Sequence, residues 1–194
     1  MELHLIRHTK TDVPSGVCYG QSDVDLADTF AGERADVQQR LADCTPPDEI
    51  RTSPLSRCRR LARALGRGEP VPDPRLLEQH LGELEGLGWD HIHQRGMDAW
   101  MSDFVHNPPP GGECLLDVAA RVHGFLDEMA DRPLSCVWAV THAGVIRTAL
   151  CHVLGMPPAN VFRLRLAYGG LTRIDLHDGG PELVWLNRLP QQPN

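Results

Sequence analysis

The chain has 194 residues, 41% of them hydrophobic, with 19 Lys and Arg against 26 Asp and Glu and a formal net charge of −7. That length suits one well-buried domain, and the acidic balance argues against a general affinity for nucleic acid or an anionic membrane surface. No stretch approaches the roughly 20 apolar residues that span a bilayer, so an anionic small-molecule ligand needs a local basic pocket.

The opening run Glu2-Leu-His-Leu-Ile-Arg7 reads as a strand, without the basic start and long apolar stretch of a secretion signal. A helix follows near Thr29, with Phe30, Val37 and Leu41 on one face. A second strand ends around residues 51–53. Ser53 and Pro54 then read as N-cap and first residue of a helix with a buried stripe of Leu55, Cys58, Leu61 and Leu65, stopped by Gly66. Weaker helical signals run over 90–104, and Pro108-Pro-Pro-Gly-Gly112 must be loop, since it can hold neither ladder nor helix. Leu115, Val118, Ala119, Val122, Phe125, Leu126 and Met129 recur at helical spacing. Residues 134–140 read as a strand buried on both faces, 141–144 as a turn and 145–154 as a helix. Alternation returns over 161–166, and two short strands joined by Asp178-Gly179-Gly180 follow, before a tail at 190–194 expected to fray. This alternation of elements predicts one domain, a three-layer α/β/α sandwich around a mostly parallel sheet. The six cysteines stand singly with no C-x-x-C pair, which predicts reduced thiols in a cytoplasmic protein.

Chemistry gathers at the strand ends. Leu5-Ile-Arg7-His8-Thr9 brings an arginine and a histidine to the C-terminal end of a strand, where α/β sheets place ligands. Thr141-His142-Ala-Gly-Val-Ile-Arg147 repeats the arrangement late in the chain. In Thr52-Ser-Pro-Leu-Ser-Arg57 a helix begins with free N–H groups suited to an anion, and Arg57 offers a planar two-pronged donor; Arg59 and Arg60 fall on other faces. Either histidine alone reads equally well as a satisfied core or surface residue, but the pair beside an arginine-bearing helix start points to phosphate. Glu78, in Arg75-Leu-Leu-Glu78-Gln-His80-Leu-Gly82, is equally a proton donor or an exposed acid. His91 and His93 have i, i+2 spacing, which does not put two ligands on one helix face, so no metal site is expected.

Taken in order, these motifs resemble the signature of the histidine phosphatase superfamily, which includes the cofactor-dependent phosphoglycerate mutases. The resemblance runs through Leu5–Thr11, Ser53-Pro-Leu-x-Arg57, Leu77-Glu78-x-x-x-Gly82-x-x-Glu85-Gly86, Gly111-Gly-Glu113 before Asp117-Val-x-x-Arg121, and Thr141–Arg147. Val17-Cys-Tyr-Gly-Gln-Ser-Asp23-Val-Asp-Leu26 is further similar to the alpha-ribazole phosphatase branch. The resemblance implies a phosphoglycerate mutase-like fold and a phosphatase of a small phosphate ester. His8 would be the nucleophile that becomes phosphorylated, with Arg7, Arg57 and a protonated His142 around the phosphoryl oxygens. Glu78 would be the general acid, and no metal or cofactor is implied. The substrate it suggests is alpha-ribazole 5′-phosphate, in cobalamin biosynthesis, with Tyr19, Leu26, Leu81 and Trp89 in segments that would line an apolar mouth. Three positions depart from the pattern: Thr9 for a glycine, Leu84 for an aromatic residue and Cys114 for a serine. A mutase would use the same residues, but the short stretch between Glu78 and Pro108 offers little to build a lid that excludes water, which favours hydrolysis. A broad-specificity phosphatase would use the same pocket with little discrimination, and a non-catalytic phosphate-binding scaffold is a further reading, against which the presence of His8, Arg57 and Glu78 speaks. Nothing in the sequence specifies an oligomeric state.

Overall fold

In the computed structural model, which describes residues 1–94 and 98–189, the opening alternation forms β1 (Glu2–Arg7). There follow α1 (Phe30–Leu41), β2 (Glu49–Thr52), α2 (Ser56–Ala64) and β3 (Val71–Pro72). The expected weak helical stretch is two short helices, α3 (Trp89–Gln94) and α4 (Asp98–Ser102), and the long apolar repeat is α5 (Leu115–Asp131). The chain closes with β4 (Cys136–Thr141), α6 (Ala143–Val153), β5 (Leu171–Asp175) and β6 (Glu182–Arg188). All six strands form one sheet in the order β3-β2-β4-β1-β5-β6. Its first three interfaces are parallel and its last two antiparallel, so the sheet is mixed, with the antiparallel part at one edge.

Strand β4 shows why there are three layers. Every residue in it is buried, as expected for a parallel strand covered on both faces. Cys136, Trp138 and Val140 pack with Val37 and Leu41 of α1 and with Cys58 and Leu61 of α2. Val137 and Ala139 point the other way, among Val122 and Phe125 of α5 and Ile146 and Leu150 of α6. The seven apolar positions of α5 are all buried, each large side chain contributing about 1.5–3 kcal/mol by leaving water.

Three local expectations are corrected. Ser53 does not cap α2: its N–H bonds to the Val140 carbonyl at 2.9 Å, prolonging the β2 ladder, and the helix begins at Ser56 with Leu55 as N-cap. The turn expected at 141–144 does not form, because Thr141 ends β4 and His142 is already the N-cap of α6. The alternation at 161–166 belongs largely to a 3-10 helix, Pro158–Arg163, whose Val161 is buried in the core beside α6. No described helix is long and apolar enough to cross a membrane, and all six cysteines are free thiols. The tail at 190–194 and the side chain of His93 lie outside the described residues.

Candidate active site

Three adjacent parallel strands end side by side and each hands a polar residue to the same place. Arg7 and Thr141 are register partners in β1 and β4, so His8 and His142 emerge together; their rings meet edge to face with centroids 5.1 Å apart. Thr52 pairs with Val140, which brings Ser53 to the same level, and its hydroxyl lies 2.8 Å from His142 Nε2. Arg57, in the first turn of α2, is wholly buried and donates through both terminal nitrogens, to the Ser22 carbonyl and the Gly20 carbonyl, each at 2.7 Å. Arg7 donates to the Leu166 carbonyl at 2.6 Å.

The donors left over matter more than those already used. Among the described residues, Arg7 Nε, Arg57 Nε and Thr9 Oγ1 are buried polar atoms without a hydrogen-bond partner. Orphaned buried donors are costly, and two guanidinium N–H groups beside a histidine suit an oxyanion. The His8 Nδ1–H donates to the Thr9 carbonyl at 2.7 Å, which leaves the Nε2 lone pair free. Thr9, the departure from the usual glycine, therefore serves through its backbone while its hydroxyl is wholly buried beside the nucleophile position.

Burial, and then the Arg57 and Arg7 guanidiniums, push His8 well below the ordinary histidine range. His142 is pushed the same way by burial, by His8 and by Arg57. In the empty site, burial and the neighbouring cations thus disfavour a proton on His142. A pH dependence of stability follows. An unfolded histidine titrates near 6.5, so below about pH 6.5 the unfolded chain takes up protons that folded His8 and His142 refuse. The stability they allow is full above that pH and is lost as pH falls through it. Melting temperatures scanned downward from pH 8 should drop below about pH 6.5, and the slope should flatten in a His8→Asn, His142→Asn double variant; an equal slope in both proteins refutes the assignment. Cys58, whose Sγ is 3.5 Å from His142 Nε2, is no rival nucleophile, because burial pushes its thiol up.

Glu78 comes from the segment after β3. Its two carboxylate oxygens accept the N–H of Gln79 at 3.0 Å and of Gly144 at 3.1 Å, which sets it across the first turn of α6 beside His142. A Cβ on Gly144 would collide with that carboxylate, so the glycine of the His142 motif is a close-approach residue. Arg121 fixes the segment from behind, donating to the carbonyls of Arg75, Leu77 and Glu78 and to Glu113. Glu85 accepts from Gln21, Ser22 and Leu81. Burial opposes its ionisation, but those donors hold it below its usual range. The acids and arginine of the intervening motifs are thus the frame of the site, holding the 20–22 loop and Glu78 in place.

Two tyrosines close the site. Tyr168 lies over the Arg7 guanidinium at 3.8 Å and 5.6 Å from the His8 ring, Tyr19 lies 5.2 Å from Arg57, and the two hydroxyls meet at 3.1 Å. Behind them His8 is only 2% exposed and His142 not at all. On their outer side is a cavity of about 750 Å³ walled by residues 10–17 and 26–28. Tyr19 and Leu26 line it as expected, but Leu81 and Trp89 do not: Leu81 packs on Cys18, Leu84 and Ile92, and Trp89 stacks on Trp100. Sequence reasoning missed Tyr168 and the Ser53 hydroxyl contact. The signal for Tyr168 was an aromatic residue before Gly169-Gly170, glycines that zip onto β1 through Gly169 N–H to the His8 carbonyl and Arg7 N–H to the Gly170 carbonyl.

Comparison with known proteins agrees with this geometry. An adenosylcobalamin/alpha-ribazole phosphatase of Salmonella typhi is 28% identical, over 96% of each chain. A probable phosphoglycerate mutase of Cronobacter sakazakii is 30% identical, over 90% of this chain and 85% of its own. The crystal structure of the alpha-ribazole phosphatase from Shigella flexneri superposes with a TM-score of 0.88 at 25% identity, covering both chains fully. The description "Histidine phosphatase superfamily (branch 1)" matches residues 3–189, and the chain belongs to that family.

Proposed function

We propose that this protein hydrolyses a small phosphate monoester through a phosphohistidine on His8, and that its substrate is alpha-ribazole 5′-phosphate. The observation that carries the chemistry is a buried His8 whose Nδ1 is taken by the Thr9 carbonyl, leaving Nε2 free, in a site where Arg7 and Arg57 each keep an unpaired Nε–H; burial and those two guanidiniums disfavour a proton on His8. Nε2 attacks phosphorus in line. Arg7 and Arg57 take the equatorial oxygens and offset the charge that otherwise repels a nucleophile. The arriving dianion also reverses the electrostatic balance at His142, which then favours a proton and donates to the same oxygens. The P–O bond to the alcohol breaks as Glu78 gives that oxygen a proton. Glu78, now a carboxylate, takes a proton from the water that attacks phosphohistidine, releasing inorganic phosphate and restoring His8.

The cations are supplied by arginine, so turnover is expected to need no metal. The cavity beside the site leaves room for water, which favours hydrolysis over transfer between bound intermediates. The names of the Salmonella and Shigella relatives support the substrate. The test is kcat/KM in the presence of excess chelator, for alpha-ribazole 5′-phosphate against ordinary nucleoside and sugar phosphates and against phosphoglycerate isomerisation. A lead of roughly 100-fold, about 2.7 kcal/mol in the transition state, is expected. A lead below about tenfold removes the substrate, activity lost to chelation and restored by metal overturns the mechanism, and dominant isomerisation makes it a mutase.

A further inference from the structure

With the phosphoryl group at His8, the alcohol half of the ester can extend past Tyr168, which lies against His8 and also lines the 750 Å³ cavity. The cavity wall is the chain just after His8, laid against residues 25–28. Thr11 bridges Leu26, Asp12 N–H bonds to the Asp25 carbonyl at 3.1 Å, and Ala27 N–H to the Lys10 carbonyl at 3.0 Å. The carboxylates and ammonium along this wall are Asp12, Asp28 and Lys10, all three exposed. Glu33 stands behind, accepting the Lys10 backbone N–H at 2.8 Å. Neither Arg7 nor Arg57 lines the cavity. The path is therefore bipolar, with a cationic seat for phosphate and a mouth carrying two carboxylates against one ammonium.

We propose that Asp12 and Asp28 select the alcohol half of the substrate, admitting an uncharged, hydroxyl-bearing group such as a nucleoside and rejecting one that carries its own carboxylate. This rests on the phosphatase reading and deepens it. An ionised carboxylate only accepts hydrogen bonds and has several lone pairs, so two of them suit the hydroxyls of a sugar ring. A leaving group with a carboxylate meets like charges instead, each worth a several-fold loss at about 5–6 Å in a wet mouth. The tyrosine rings beside them supply apolar faces for a planar base.

The test compares the full-length protein with an Asp12→Asn, Asp28→Asn variant on a nucleoside 5′-monophosphate, phosphoserine, 3-phosphoglycerate and p-nitrophenyl phosphate. The variant should gain about tenfold or more in kcat/KM for the two carboxylate esters relative to the nucleoside ester. Its rate on p-nitrophenyl phosphate should stay within about twofold, and the parent's discrimination should shrink at high salt as the charges are screened. An unmoved ratio with p-nitrophenyl phosphate turnover retained overturns the proposal. If neither protein hydrolyses any of these esters or alpha-ribazole 5′-phosphate, the phosphatase reading falls separately. Calorimetric binding of the same esters then decides the mouth: a shift in relative affinity upholds the selection, and unchanged relative affinity overturns it.

Discussion

Replacing His8 by Ala is expected to lower kcat by about 10⁴-fold or more, the scale on which loss of a covalent nucleophile is felt, and to leave the fold intact. The two halves of that expectation have separate physical reasons. Chemically, no other group can stand in: His142 Nε2 is engaged with the Ser53 hydroxyl, and burial keeps the Cys58 thiol protonated. Structurally, the His8 side chain bonds only to the adjacent Thr9 carbonyl, while its backbone N–H, retained in alanine, holds the Thr141 carbonyl at 2.9 Å. His8 is a buried, neutral group among cations, so its removal should leave the melting temperature equal or higher, as often happens when a site built for function is relaxed. The check is rapid quench with a phosphate-labelled ester, reading covalent label and turnover together. A His8→Ala protein that keeps more than about one hundredth of the parent rate, or that still traps label, refutes the assignment.

Glu78→Gln is expected to cost about 10²–10⁴-fold on alkyl phosphates, the usual contribution of a positioned general acid, and little on p-nitrophenyl phosphate. An alkoxide needs a proton as its bond breaks, whereas p-nitrophenolate leaves almost unaided. Glutamine preserves the shape and an oxygen for the Gly144 N–H but loses the acceptor of the Gln79 N–H; that cost falls on both kinds of ester alike, so the difference between them isolates the proton. Equal losses on both kinds of ester would make Glu78 a positioning group only. The acid would then be sought elsewhere, but Glu85 is a poor reserve, since its oxygens are already taken by Gln21, Ser22 and Leu81. Glu83 is exposed, with its backbone N–H tied to the Pro110 carbonyl.

The layers of this fold and the two histidine motifs are local facts, which is why the sequence reveals them. Continuous burial of 136–140 and the seven helical positions from Leu115 to Met129 need only their own periodicity. Arg7-His8 and Thr141-His142 sit at strand ends that an α/β sheet must point the same way. Other features depend on residues far apart in the chain. The local pattern at Ser53 is that of a helix cap. The residue became a hydroxyl for His142 because the Val140 carbonyl, 87 positions on, claimed its N–H first. Residues 161–166 alternate like a strand, yet the chain folds there as a 3-10 helix, because burying Val161 in the core beside α6 involves residues far away in sequence. Tyr168 reaches His8 only because β5 pairs antiparallel to β1 and zips its preceding glycines to Arg7 and His8. The charge state of His142 follows the same rule. Its residue type permits either form, and burial, then His8 and the Arg57 guanidinium, all set there by distant segments, push it toward the neutral one.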